Sequence, residues 1–146
     1  MKPLVIGVGA RGRGDDEAGI VVARAVAQVR SPDVDVIEQA DPVDLVRLFE
    51  GRDLVVVVDA VAPADRPGAV SVLDASQFAG QPTGSSSHGF GVGSAIELAR
   101  TLERLPARLV VVGIEVGSGA RGQAMSPDVQ RAIPAAVAEV WSALGG

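Results

Sequence analysis

Five short apolar runs along the chain predict β-strands, and longer amphipathic segments lie between most of them. Apolar runs of this length, bounded by glycine, proline or charged residues, are typical of strands within a sheet. The clearest run, residues 54–58, has five consecutive apolar residues and ends at Asp59. It predicts a strand buried on both faces, as in the centre of a parallel sheet. The predicted strands cover residues 4–9, 34–39, 54–58, 69–73 and 109–114.

Apolar residues at helical spacing predict four helices. The first helix opens at Asp15 and Asp16, since acidic side chains suit the positive end of a helix dipole. Its predicted apolar stripe consists of Ala18, Val21, Val22, Ala25 and Val29. Further helices are predicted for residues 41–49, 92–102 and 126–144.

Strands that alternate with helices predict an α/β fold, a three-layer α/β/α sandwich around a mostly parallel five-stranded sheet. Residues 69–73 follow the central strand through a short, hairpin-like connection, which predicts one antiparallel strand at an edge. A length of 146 residues suits a single domain, and we expect residues 1–146 to form it.

Composition and charge exclude several kinds of partner and site and indicate a cellular compartment. The net charge of −5 repels phosphate backbones and anionic lipid, so neither nucleic acid nor a membrane is an expected partner. The absence of cysteine excludes disulfides, thiolate metal sites and a cysteine nucleophile. It also fits a reducing compartment, and the N-terminus has no signal-like apolar stretch. We therefore expect a cytoplasmic protein.

Three side chains that could carry chemistry fall near the carboxyl ends of the predicted strands, where open α/β sheets bind ligands. Asp16 follows the first strand, Asp59 ends the third, and His88 lies in the loop after the fourth. Two carboxylates and one imidazole can ligate a divalent metal and leave coordination positions open for water or substrate. Glu17 and Glu115 lie near the same rim as further acids. The alternative is that these residues have structural roles only: Asp16 caps a helix, Asp59 forms a turn at the strand end, and His88 is a surface histidine.

The same part of the sequence is also compatible with two other kinds of site, a dinucleotide-binding site and a carboxylate dyad. The pattern Gly7-x-Gly9-x-x-Gly12 matches a dinucleotide fingerprint with Glu38 as the ribose-binding acid, although Asp15 and Asp16 would repel phosphate at that helix end. Asp16 and Asp59 could also share a proton as a carboxylate dyad.

A serine hydrolase would combine Ser87, His88 and Asp59. The sequence contains no Gly-x-Ser-x-Gly elbow, which is the usual setting of such a serine.

Four motifs, in order along nearly the whole chain, resemble those of the hydrogenase maturation proteases. The first is Gly7-Val8-Gly9 followed after four residues by Gly14-Asp15-Asp16, and the second is Val57-Val58-Asp59-Ala60 followed by Pro67-Gly68. The third is Ser86-Ser87-His88 with Gly91 and the helix after it. The fourth is Val112-Gly113-Ile114-Glu115, followed by Ser126-Pro127 and a closing helix.

The resemblance implies an aspartyl-type endopeptidase that removes the C-terminal extension of a nickel–iron hydrogenase large-subunit precursor already loaded with nickel. It implies that Asp16, Asp59 and His88 contact the nickel, which the substrate carries. The chain departs from the family pattern at Ala10, Arg11, Arg13 and Gly89. A metal-sensing or chaperone-like binder on the same fold is the alternative function, and a nucleotide-binding domain is a third.

Overall fold

The computed structural model describes residues 1–9, 14–61, 67–75, 91–116 and 124–145. Five strands form one sheet in the order β2-β1-β3-β5-β4. Four of them run parallel, and β4 is antiparallel to its neighbour β5. The predicted fold class, a mostly parallel five-stranded sheet with one antiparallel edge strand, is therefore confirmed. The strands are β1 (Leu4–Val8), β2 (Asp35–Ala40), β3 (Leu54–Val61), β4 (Val70–Asp74) and β5 (Arg108–Glu115).

Helices cover both faces of this sheet. They are α1 (Ala18–Gln28), α2 (Leu45–Phe49), α3 (Val92–Thr101) and α4 (Pro127–Ala143), with short 3-10 turns at Gly14–Glu17 and Pro42–Asp44. Helices α1 and α4 pack on one face, called here the α1–α4 face, and α2 and α3 pack on the other, the α2–α3 face. None of the helices in the described ranges is long and apolar enough to span a bilayer.

Strand β3 shows why a continuous apolar run forms the centre of the sheet. Val55 and Val57 are fully buried against the α2–α3 face, and Val56 and Val58 are fully buried against the α1–α4 face. Complete burial of such a side chain stabilises the fold by about 1.5–3 kcal/mol. The alternation of faces along this strand therefore joins the two halves of the core.

The predicted start and apolar stripe of α1 are partly wrong. Asp16 lies in the 3-10 turn, and the α-helix begins only at Ala18. Val29 is 61% exposed because α1 ends at Gln28, where the chain turns away from the sheet. The residues of α1 that are buried are Ala18, Gly19, Ile20, Val22, Ala23 and Val26.

Two further predictions about the strands need correction. Strand β3 does not stop at Asp59 but continues to Val61, because β5 continues to pair with it, with Ala60 opposite Ile114. The antiparallel strand β4 lies at the sheet edge as predicted. Its partner is β5, with Val72 opposite Val112, whereas a hairpin would have paired it with β3.

Candidate active site

The carboxyl ends of β1 and β3 lie side by side where the strand order of the sheet reverses. The chain leaves β1 for β2 on one side, while β3 lies on the other side of β1. The connecting helices α1 and α2 lie on opposite faces of the sheet. Open α/β sheets usually bind their ligands in a crevice at such strand ends, so this edge of the sheet is the candidate active site.

Gly19 allows the start of α1 to lie against both of these strand ends. A Cβ atom at this position would stand 2.5 Å from the main-chain oxygens of Val8 and Val58. These oxygens belong to the backbone and cannot easily move aside. The absence of a side chain in the first turn of α1 therefore determines how closely the helix approaches β1 and β3.

Gly9 has the same effect on the 3-10 turn that carries Asp16. A Cβ atom on Gly9 would lie 2.2 Å from the main-chain oxygen of Asp16. The turn therefore crosses the end of β1 in direct contact with its backbone. This packing holds Asp16, a half-buried residue, at the carboxyl edge of the sheet.

Asp59 lies in β3 at the same edge, and its carboxyl is strongly perturbed. Burial, with a smaller contribution from the negative charge of Asp16, raises the pKa of Asp59 to about 7. A hydrogen bond from the main-chain N–H of Ala60 acts in the opposite direction because it stabilises the carboxylate. The two predicted carboxylates are thus close enough to interact through their charges.

This pair of carboxyl groups is suited to proton transfer and to cation binding. A carboxyl with a pKa about 7 can both accept and donate a proton at neutral pH, as a general acid or base requires. Two carboxylates also offer oxygen ligands to a divalent cation. Among the described residues, no three His, Cys, Asp or Glu side chains come together as a metal site.

His88 lies outside the described residues, as does Ser87 of the alternative hydrolase arrangement. The helix that follows His88 in the chain is described. Near the end of α3, Arg100 donates a hydrogen bond of 3.0 Å to the main-chain oxygen of Ala75. The main-chain N–H of Ala75 in turn donates to the oxygen of Leu109, at the amino end of β5. Helix α3 therefore starts toward the opposite edge of the sheet, which carries Asp59.

In the described part of the chain, packing explains the glycines that resemble a dinucleotide-binding fingerprint. A Cβ atom on Gly7 would stand 2.6 Å from the main-chain oxygens of Glu38 and Gly19, so this glycine lets α1 and β2 approach β1. The side chain of Glu38 pairs with Arg24 at 3.3 Å. Gly12 lies outside the described residues.

The remaining acids of the rim lie near its margins. Glu17 occupies the N-cap position of α1, and Glu115 is a half-buried residue at the end of β5. Sequence reasoning did not single out Gly19 as a residue that shapes this site. The available signal was a glycine inside an amphipathic helical pattern, since such a glycine often marks a close approach of another backbone.

The comparison with protein families decides the identity of the chain. The family model described as "Hydrogenase maturation protease" matches residues 20–143, most of the chain. The chain belongs to the hydrogenase maturation protease family. It is accordingly a peptide hydrolase that acts in hydrogenase maturation, and the family implies a hydrogenase large subunit as its substrate.

Solved structures of similar proteins share the fold. The hydrogenase maturating endopeptidase HybD from E. coli superposes with a TM-score of 0.77 at 23% identity, covering 99% of this chain and 92% of that one. The hydrogenase 2 maturation peptidase from a Thaumarchaeota archaeon gives 0.73 at 27% identity, covering 99% of both chains. The [NiFe] hydrogenase maturation protease HycI from Thermococcus kodakarensis gives 0.74 at 23%, covering 99% and 93%. No curated protein is significantly similar in sequence.

Proposed function

We propose that this hydrogenase maturation protease removes the C-terminal extension of a nickel–iron hydrogenase large-subunit precursor after nickel has been loaded. Asp16, Asp59 and His88 contact that nickel, which belongs to the substrate. The observation that carries the proposal is the carboxyl pair at the strand ends, with the pKa of Asp59 raised to about 7. As part of the same proposal, the reaction takes place in the cytoplasm.

The charge balance of the site supports a cationic partner. Asp59 is held in a setting where burial and the charge of Asp16 both oppose its ionisation. Such a pair costs stability unless a positive charge compensates it. A nickel ion carried in by the substrate would supply that charge and lower the pKa of Asp59, so metal contact and ionisation favour each other.

The same carboxyl can serve the hydrolysis itself. In this mechanism a carboxylate oxygen of Asp59 takes a proton from the water that attacks the scissile carbonyl. The proton then passes to the leaving amine, so that Asp59 returns to its starting charge. The nickel of the substrate would supply Lewis-acid polarisation of the carbonyl. Burial, aided by the charge of Asp16, raises the proton affinity of Asp59, which favours this exchange near neutral pH.

The position of His88 in the sequence is compatible with a third contact. Gly91, three residues later, lies directly before α3, and α3 starts toward the edge that carries Asp59. An imidazole nitrogen beside two carboxylates makes a mixed N/O ligand set suited to nickel among other divalent ions. Neutral imidazole is the ligating form, so its contact weakens as pH falls below its pKa.

The deciding experiment is an intact-mass measurement on the host's nickel-loaded large-subunit precursor. Incubation with the protein should remove a single C-terminal peptide, and a nickel-depleted precursor should stay intact. Asp16→Ala should abolish cleavage. Asp53→Asn is the matched control, since Asp53 is an exposed carboxylate just before the amino end of β3 and should leave cleavage unchanged.

Two results would contradict the proposal. Cleavage of the loaded precursor by folded Asp16→Ala at the normal rate would remove the carboxyl pair from the reaction. An intact precursor after incubation with the unmodified protein, with nickel loading verified, would favour the metal-sensing binder.

A further inference from the structure

Strand β4 ends the sheet, so one of its two main-chain edges has no neighbouring strand in the described part of the chain. Its other edge bonds to β5, where the N–H of Ala75 donates to the main-chain oxygen of Leu109 at 2.7 Å. Main-chain groups alternate in direction along an antiparallel strand. Those of Leu73 therefore face β5 like those of Ala75, and those of Val70 and Val72 face outward.

Both faces of the sheet are open to solvent at the middle of β4. Val72 is 50% exposed, and its neighbour Ser71 is exposed as well. Because successive residues of a strand point to opposite faces, neither face is fully covered at this place. Within the described residues, the main-chain groups of Val72 form no hydrogen bond. Its outward N–H and C=O are therefore available to another chain.

The two edges of the sheet differ in charge. At the opposite edge, β2 carries Asp35, which pairs with Arg52 at 2.7 Å, and Glu38, which pairs with Arg24 at 3.3 Å. Charged side chains on an edge strand discourage pairing with other chains. Residues 70–73 of β4 carry no charge, so this edge lacks that protection. A further strand can therefore join the sheet more readily at β4 than at β2.

The length of β4 restricts what can bind along it. The strand has five residues, Val70–Asp74. A stable interface between two protein molecules needs about 800 Å² from each of them, supplied by roughly 20 residues or more. The edge alone is therefore too short to hold a second copy of the chain. It fits a single extended peptide, which can add to an exposed edge through main-chain hydrogen bonds.

The free edge lies within reach of the carboxyl pair. Asp59 of β3 is opposite Gly113 of β5, and Gly113 is opposite Ser71 of β4. Neighbouring strands lie about 4.8 Å apart, so a peptide added beside β4 would run about 14 Å from the main chain of Asp59. About four extended residues span that distance. One peptide can therefore contact the edge and the carboxyl pair at the same time.

We infer that the free edge of β4 binds an extended segment of the substrate as an added strand, through main-chain hydrogen bonds to Val72. The segment lies about four or more residues from the bond that is cut. Because the contact is made by the main chain, it holds the peptide without requiring a particular side chain. The inference rests on the proposed function and adds a substrate contact away from the carboxyl pair.

The first test asks whether the edge is open in the free protein. Amide hydrogen exchange would be followed residue by residue by NMR, without substrate or metal. The Val72 amide should exchange quickly, since it has no acceptor, and the Leu73 amide, which faces β5, should exchange at least ten-fold more slowly. Slow exchange at Val72 would mean that another part of the chain already occupies the edge, which overturns the inference.

The second test removes the outward N–H alone. Val72→Pro breaks no bond to β5, and proline is tolerated on the free side of an edge strand. Initial rates of cleavage would be measured by intact mass over a range of nickel-loaded precursor concentrations. We expect KM to rise about five-fold, as for one lost neutral hydrogen bond, and kcat to stay within about two-fold.

Val36→Pro is the matched control at the other edge of the sheet. The N–H of Asp35 donates to Pro3 at 2.9 Å, so the main-chain groups of the next residue, Val36, face outward from β2. This variant should leave KM unchanged. If Val72→Pro fails to fold, Val72→Lys and Val72→Thr decide the question. The lysine should raise KM, because its charge protects the edge, and the uncharged threonine should not.

The outcomes distinguish the inference from the proposed function. An unchanged KM in folded Val72→Pro, or an equal rise in Val36→Pro, overturns the added strand while cleavage by the unmodified protein still supports the protease. No cleavage of the loaded precursor by the unmodified protein overturns both.

Discussion

Asp16 and Asp59 come from different elements, yet they form one electrostatic unit. Burial and, to a lesser extent, the negative charge of Asp16 together raise the pKa of Asp59 to about 7. Asp16 is held there by the contact between its main-chain oxygen and Gly9, and Asp59 by its place in β3. The fold therefore brings together two carboxyl groups that repel each other, and this repulsion lowers the stability of the protein at the candidate site.

That cost predicts that Asp59→Asn stabilises the protein. The pKa of Asp59 is about 7 in the folded state against a model value of 3.8, so folding binds a proton between these pH values. Stability is therefore lost as pH rises from about 4 to about 7, and the loss is complete above 7. We expect the variant to gain about 2 kcal/mol in urea unfolding at pH 8, allowing for partial solvent access, and almost nothing at pH 4.

Asp53→Asn is the control for this measurement. Asp53 is exposed just before the same strand begins, so its substitution should change the free energy of unfolding by less than about 0.5 kcal/mol. A gain in Asp59→Asn that is equal at both pH values would show that the raised pKa is not its cause.

Removal of the charge at Asp16 should move the titration of Asp59. In Asp16→Asn, burial still raises the pKa of Asp59, but the repulsion from Asp16 is gone. We expect the titration midpoint of Asp59 to fall below that of the unmodified protein, as followed by carbon NMR of its side-chain carboxyl. This measurement needs neither substrate nor metal. An unchanged midpoint would show that the charge of Asp16 does not affect the titration of Asp59.

Processing should depend on pH through the same carboxyl. If Asp59 must be ionised to contact nickel and to accept a proton from water, the single-turnover rate should decline as pH falls through the region near 7. Because nickel lowers the pKa of a carboxyl it contacts, the midpoint should lie at or below 7 with the loaded precursor. A rate that increases as pH falls would contradict the role of Asp59 as a base.

Gly19→Ala should damage the fold and the site together. The new Cβ atom would stand 2.5 Å from two main-chain oxygens, at Val8 and Val58. We expect a loss of about 1–3 kcal/mol in urea unfolding, typical of overpacking, with lower processing activity in the fraction that still folds. Ser94→Ala, an exposed position in α3, is the helical control and should be nearly neutral. Unchanged stability in Gly19→Ala would mean that α1 can shift away from the strands.

Much of this fold could be predicted because burial leaves a local pattern. The run that became β3 is apolar at every position, since both of its faces are covered, and that pattern reads directly from the residues. The partner of β4 could not be read in this way. The spacing of apolar residues indicates which residues are buried, but it does not indicate which strands are neighbours in the sheet. In the structure, the neighbour of β4 is β5.

Part of the candidate site could likewise be predicted from the sequence, and part could not. Asp16 and Asp59 could be assigned to one rim because the carboxyl ends of parallel strands share an edge. The size of their interaction could not be predicted, since it depends on the burial of Asp59 and on a turn held against Gly9.

The strand order also has a consequence for protein synthesis. Strand β5 is the last of the five in the chain, but it lies between β3 and β4. A ribosome-bound chain therefore carries Asp16 and Asp59 well before it carries β5, the strand that pairs with β3 at Asp59. Because domains fold as units once their residues have emerged, we expect peptide-cleaving activity to begin only after residue 115 has left the exit tunnel. The nascent enzyme is thus inert until β5 has been synthesised.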